Sequence, residues 1–492
     1  MSLVMNDKPA PAQLTQHALV DHQRRLLQLL DEFFQILVGA PAGNFDDFES
    51  ARRRSIERAE ILKKSTGAIN DKHEQIAAFY AGEVGSVFQA AKEIGGVKLV
   101  LGGTSRFGLP QTESVRKLAL YADTILIPDP VLPWLEIDRP EEQFRHVLEL
   151  RDIYHVLRFR PLVDAELPYP AVVFVPSWEK VLERGDPDTQ ARQANLIVSV
   201  LSYHLGEQFE VPDEIFAFAA RRPDEFLSGV ERKGLFVPPG HEGKSVGIKE
   251  AIGIYREYVR RWRPKYYAEF EKVPDAHLLA VGLIERIAPI YHLLENTDEL
   301  NAHSLLPLPV HWHYFDLCRV SFAGQLDQMG LIDKSWKAEE RVLQDPRLGW
   351  LGNVPIAELV RLRQDNENEE FRRHLKDLTV ALHDSTVSDL SRVVPDVVRG
   401  LSGLLAEHQR RVRAVEEEYQ RRHTKTGALS LVTGVATFAP VLAPVLGIVP
   451  GAAAALAIAA KYASDKIDEC ASLSQLSRSL FGVLGAARRE EK

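Results

Sequence analysis

Cysteine is nearly absent from this chain: Cys318 and Cys470 are the two occurrences in 492 residues. A pair so far apart in sequence makes no disulfide framework, and the composition fits a reduced, cytoplasmic compartment. Basic excess is also missing. The formal charge is -9, whereas a protein that coats nucleic acid is usually basic, because phosphate neutralisation supplies most non-specific affinity. Nucleic acid is therefore not expected as a partner. The N-terminal stretch lacks a basic run followed by an apolar core, and Pro9-Ala10-Pro11-Ala12 reads as a loose tail. No secretory signal is expected from it.

Cofactor fingerprints are missing as well. Gly240-His241-Glu242-Gly243-Lys244-Ser245 has the look of a phosphate loop, but Pro238 stands where that motif requires its first glycine. His311 and His313 alternate, and on a strand they would share a face and could bind one metal. No zinc spacing surrounds them, and Trp312, Tyr314 and Phe315 suggest a structural setting instead. No cofactor, resident metal or catalytic residue is assigned.

What the chain does have is apolar periodicity. With 45% hydrophobic and 26% charged residues it has the composition of a globular protein with a real core. Leu26, Leu29, Leu30, Phe33, Phe34 and Leu37 recur at spacings of three and four, which predicts a helix stopped at Val38-Gly39. A second helical run covers 46–64. Val97–Leu101, Thr124–Ile127 and Ala171–Val175 read as short strands separated by helices, one of them opened by an Asp138/Glu141 capping box. This pattern predicts a small α/β layer with parallel pairing.

The reading for the whole chain is mostly α with a small α/β layer, an α+β multidomain protein. Its parts are a helical region 1–95, an α/β domain 96–180, a helical domain 181–400, and a region 401–492 of amphipathic helix and apolar hairpin. Within 181–400, breaks are expected at Arg221–Asp224, Val237–Gly240 and Leu305–Val310. Tyr255–Phe270 interleaves arginines with aromatics, as a base-stacking surface would. Ile252, Tyr255, Val259 and Trp262 nevertheless keep helical spacing, which predicts a core face opposite a solvated basic one.

Two segments bear on function. Gly102-Gly103-Thr104-Ser105-Arg106 follows the first strand, where backbone N–H groups and Arg106 could hold a phosphate. Asp129 and Ser177 follow the next two strands, at the ends where open α/β sheets place ligands. The other segment runs from Thr426 to Ala460 without an ionisable side chain. A straight helix of about 35 residues would span roughly 50 Å, more than a hydrocarbon core of about 30 Å. Pro440, Pro444 and Pro450 argue for a bend, which leaves a helical hairpin with arms near 427–439 and 451–463 or a single kinked span near 429–449. Gly427, Leu431, Gly434, Phe438, Gly447 and Gly451 would mark its membrane-facing or close-packed positions. Basic residues flank both ends: Arg421, Arg422 and Lys425 before, Lys461 and Lys466 after.

The first expectation is a non-enzymatic effector that engages membrane lipid through this hairpin. The second is an α/β nucleotide- or phosphate-binding enzyme or sensor. The third is a soluble homo-oligomeric scaffold with the hairpin as core.

Overall fold

The computed structural model describes residues 16–102, 107–132, 134, 142–176, 187–241, 246–262, 267, 271–328, 342–343, 345–379, 395–408, 410, 412–414, 417–418, 476 and 478–490. The apolar run 426–460, with every hairpin position named above, lies outside these residues. The chain divides into two compact units, Met1–Glu340 and Arg341–Lys492.

The first unit is a small parallel sheet wrapped by helices. In chain order it runs α1 (Gln16–Val38), α2 (Phe48–Glu57), α3 (Ala59–Lys64), α4 (Thr66–Glu93), β1 (Lys98–Leu101), α5 (Leu109–Leu118) and β2 (Thr124–Pro128). It continues with α6 (Glu142–Leu157), α7 (Arg160–Asp164), β3 (Val172–Val175), α8 (Pro187–Leu205), α9 (Pro212–Arg221) and α10 (Pro223–Lys233). Last come α11 (Ile248–Trp262), α12 (Asp275–Glu299), β4 (His303–Leu305) and α13 (Pro309–Gln328). The first helix ends as its sequence predicts, with Gly39 in the left-handed region (φ 85°) and its N–H on the Gln35 carbonyl at 2.7 Å.

The described strands form one sheet in the order β3-β2-β1-β4, with parallel pairing throughout. Three of them are the strands expected from sequence. The fourth, His303–Leu305, comes from far downstream, where only a proline-marked break was expected. The α/β layer therefore draws on residues well beyond 180.

Each β1–β3 residue is enclosed on both faces, apart from the half-buried Pro128, as suits a parallel sheet covered by helices. Val100, Leu126 and Val173 stand in register and share one hydrophobic cluster with α4, α8, α12 and α13. Leu99, Ile125 and Val172 form the next register row and face the other way. Phe174 lies on this second face, and its ring meets Phe159, which meets Phe107 just before α5. The helix after β1 thus packs on one face of the sheet, and the helix after β4 on the other.

α11 has the core face its spacing predicts: Ile252, Tyr255 and Val259 are all buried. One helix among the described residues, α12, is long and apolar enough to cross a membrane, but 50% of its apolar window is buried inside the fold. Leu278, Leu279, Leu283 and Ile287 tie it into the cluster against the sheet.

The second unit is helical where it is described. A 3-10 segment (Pro346–Asn353) and the helices Ile356–Gln364 and Glu367–Thr379 pack with the C-terminal helix Leu480–Glu490. Trp350, Leu359, Leu362, Phe371, Leu401 and Leu484 are buried in it. The Glu367 carboxylate accepts from the Leu480 N–H, and Arg361 donates to the Arg478 carbonyl.

Candidate functional site

Parallel strands end together, so the loops that leave their carboxyl ends crowd onto one edge of the sheet. Between β1 and β4 those loops part, because α5 goes to one face and α13 to the other. A crevice must open where neighbouring connections diverge, and open α/β sheets hold ligands at that point. Here it opens into a cavity of about 930 Å³. The Gly102 N–H donates to the Leu305 carbonyl at 2.9 Å, which joins the strand ends. A Cβ on Gly102 would lie 2.9 Å from Leu293 Cδ2 and 3.3 Å from the Leu305 oxygen. The glycine expected from sequence to shape a ligand turn therefore also permits this close approach.

One wall is the start of α5. Gly108 caps the helix in an extended conformation, Pro110 holds the first turn, and no acidic side chain occupies that turn. Thr112 and Arg116 follow one turn apart, and both line the cavity. The Thr112 hydroxyl donates to the Gly108 carbonyl at 3.0 Å and lies 3.4 Å from His155 Nδ1.

His155, on α6, is buried among Phe107, Tyr154 and Phe48. Burial pushes its imidazole down to about 4, helped by Arg151 and Arg158. It is a neutral ring at physiological pH. Arg116 is also held below its ordinary value, first by burial and then by the Arg158 guanidinium. Cations crowded in this way favour an anion between them.

Arg151 is engaged by Asp152 Oδ1 at 2.9 and 2.8 Å, and the other Asp152 oxygen accepts from Trp134 Nε1 at 2.8 Å. Burial pushes Asp152 up to about 7, against the pull of Arg151. Asp46, Asp47 and Glu49 lie at the exposed rim, and Asp47 caps α2 through the Ser50 N–H at 2.7 Å. Arg116 is half-buried, and the Glu113 carboxylate close by opposes the lowering of its pKa.

The opposite wall comes from α11, α12 and α13. Tyr255 and Tyr258 lie nearly parallel, 13° apart, with centroids at 6.2 Å. The Tyr255 hydroxyl donates to Glu285 at 2.7 Å, and the Tyr314 hydroxyl accepts from the Val237 N–H at 3.1 Å. His311 stands at the third position of α13, and its Nδ1 is sealed from solvent without a hydrogen-bond partner among the described residues. Burial and Arg286 hold that ring at about 4.

The structure sorts the residues singled out from sequence. Gly102 lies at the end of β1, bonded to Leu305, and is not among the residues that line the cavity. Gly103, Thr104, Ser105, Arg106 and Ser177 lie outside the described residues. Asp129 is buried, and its carboxylate accepts from the Tyr80 hydroxyl and from the Val131 and Leu132 N–H groups at 2.7 and 3.2 Å. These are bonds within its own chain, and Asp129 does not line the cavity. His311 and His313 sit on a helix and not on a strand. Two residues apart on a helix means about 200° of rotation, so they point away from each other. His313 turns to the Gly234–Leu235 backbone while His311 turns to the cavity. No group of three or more His, Cys, Asp or Glu residues that could hold a metal ion occurs among the described residues.

Thr112, Arg116 and His155 were missed by sequence reasoning. A signal for the first two existed: they lie four apart on a helix that follows a strand and a glycine-rich turn. None existed for His155, which reaches the site from a helix beyond the next strand.

Fold and site together define an open parallel sheet, helical on both faces, with a cavity where the strand order reverses. Comparison with family models, with curated proteins and with solved structures finds no match to the chain.

Proposed function

We propose that the first unit binds a small anionic, phosphate-bearing ligand in the cavity between the carboxyl ends of β1 and β4. The observation that carries this reading is the coincidence of a 930 Å³ cavity with the divergence of the β1 and β4 loops. Ligand sites occupy roughly 300–1,000 Å³, and a helix N-terminus with an arginine one turn on suits an anion. The reading belongs to a sensor or an enzyme alike, because binding does not fix a reaction. The test is the melting temperature of the full chain against a panel of nucleotides and inorganic phosphates. Ligand at 100 times its Kd should stabilise by about 2.7 kcal/mol, a shift of a few degrees. Arg116→Ala should abolish the shift, and a flat response across the panel would remove the proposal.

A second proposal rests on a different observation, the stretch 426–460 that has no ionisable side chain. In this reading the stretch enters a lipid surface as a hairpin whose ends return to one side. Support comes from its basic flanks, Arg421, Arg422 and Lys425 before the stretch and Lys461 and Lys466 after it. The full chain should co-sediment with vesicles rich in anionic lipid, and deletion of 427–460 should end that. Equal sedimentation of both proteins would overturn it.

A further inference from the structure

Arg151 and Asp152 are neighbours in sequence but differ in place. Arg151 lines the cavity with its side chain 24% exposed, whereas Asp152 is 2% exposed and stands outside the lining. The buried carboxylate is divided between two partners. One oxygen accepts from Arg151 Nε and Nη2 at 2.9 and 2.8 Å, and the other from the Trp134 indole N–H at 2.8 Å. Trp134 is itself buried and belongs to the segment that leaves β2. A carboxylate so placed cancels the charge of the arginine it touches, because attraction is strong where water is excluded. Protonation ends that cancellation.

We infer that Asp152 sets the charge the cavity presents: ionised, it holds the Arg151 guanidinium to the wall, and protonated, it leaves that cation to an anionic ligand. The ligand half of this inference rests on the anion reading above, while the proton exchange at Asp152 stands by itself. Burial raises the carboxyl to about 7, Arg151 and Trp134 oppose the rise, and the Glu149 charge adds to it. The exchange therefore falls at neutral pH. Glu149 comes from the preceding turn of α6 and lies 2.8 Å from His73 Nε2 of α4. On the cavity side the charged groups are Arg116 of α5, Arg158 of α6 and the carboxylates Asp46, Asp47 and Glu49 at the start of α2. α1 engages Asp31 with Arg160 and Glu32 with Lys72. His155, at about 4, stays neutral through this range and takes no part in the response.

Two measurements on the full chain test this. The first needs no ligand: the emission of Trp134, taken as the difference between wild type and Trp134→Phe, is followed from about pH 5 to about pH 9. It should change with a midpoint at about 7. Asp152→Asn, which keeps an acceptor for the indole N–H, should flatten the curve. Arg151→Gln, which removes the opposing cation, should move the midpoint upward. A flat wild-type curve overturns the proton exchange. The second measurement is equilibrium dialysis with sulfate, a dianion across this range, so that any pH dependence belongs to the protein. Wild type should bind it about tenfold more tightly near pH 6 than near pH 8, because an anion and a proton at Asp152 favour one another. Asp152→Asn should bind at both pH values as wild type does at the lower one, and Arg151→Gln should bind weakly at both. Equal binding by wild type at the two pH values overturns the control of cavity charge, and if Arg116→Ala still removes that binding the anion site survives. Sulfate bound by neither wild type nor Asp152→Asn sinks the anion reading and, with it, the ligand half of the inference.

Discussion

His155 shows how one residue links stability to pH in this protein. Its ring is buried beside two arginines, and its folded value is about 4 against an ordinary 6.5. Above pH 6.5 the ring is neutral in both the folded and the unfolded chain. As pH falls from 6.5 towards 4 the unfolded chain takes up a proton that the folded protein refuses, so stability is lost. A shift of this size amounts to about 3 kcal/mol by pH 4. His155→Phe keeps the aromatic packing and removes the titration. Urea denaturation at pH 7 and pH 4 should show the variant gaining on wild type by up to that amount. A constant gap between the two proteins at both pH values would show that His155 does not govern the acid response. The sequence offered no reason to single this histidine out, because its partner Thr112 comes from α5, 43 residues away.

At the scale of elements, the exposed edge of a parallel sheet needs cover. β3 is an edge strand, and α1 covers it with a side chain that imitates a strand. Gln23 donates from Nε2 to the Phe174 carbonyl at 3.0 Å and accepts from the Phe174 N–H at 2.7 Å. Gln23 is only 1% exposed, so no water replaces it. Gln23→Leu would leave a buried donor and a buried acceptor unpaired and should cost about 2–4 kcal/mol in a urea titration. Loss of less than about 0.5 kcal/mol would mean the edge finds other cover. The helix α1 itself was readable from its apolar stripe. This polar residue within it was not, because its meaning depends on a strand some 150 residues away.

At the scale of the molecule, the two units make separate claims. The sheet, its covering helices and the cavity all belong to Met1–Glu340. The fragment 1–340 should therefore unfold cooperatively by itself and show the same nucleotide-induced thermal shift as the full chain. A fragment without a cooperative transition would show that the second unit is needed for the first to fold. The apolar run 426–460 belongs to the other unit. Its deletion should leave the ligand response of the first unit unchanged.

The sequence by itself determined the local elements. Apolar spacing set α1 and α11, glycine ended α1, and short β-branched runs set β1, β2 and β3 with their parallel sense. These follow from interactions within a few residues, which periodicity records directly. The tertiary structure alone decided the fourth strand, the reversal of strand order beside β1 and the company of Arg116, His155 and His311. A strand of three residues leaves almost no periodic trace, and its place in the sheet depends on non-local pairing. The cavity exists because of that placement, which brings together side chains that no spacing along the chain connects.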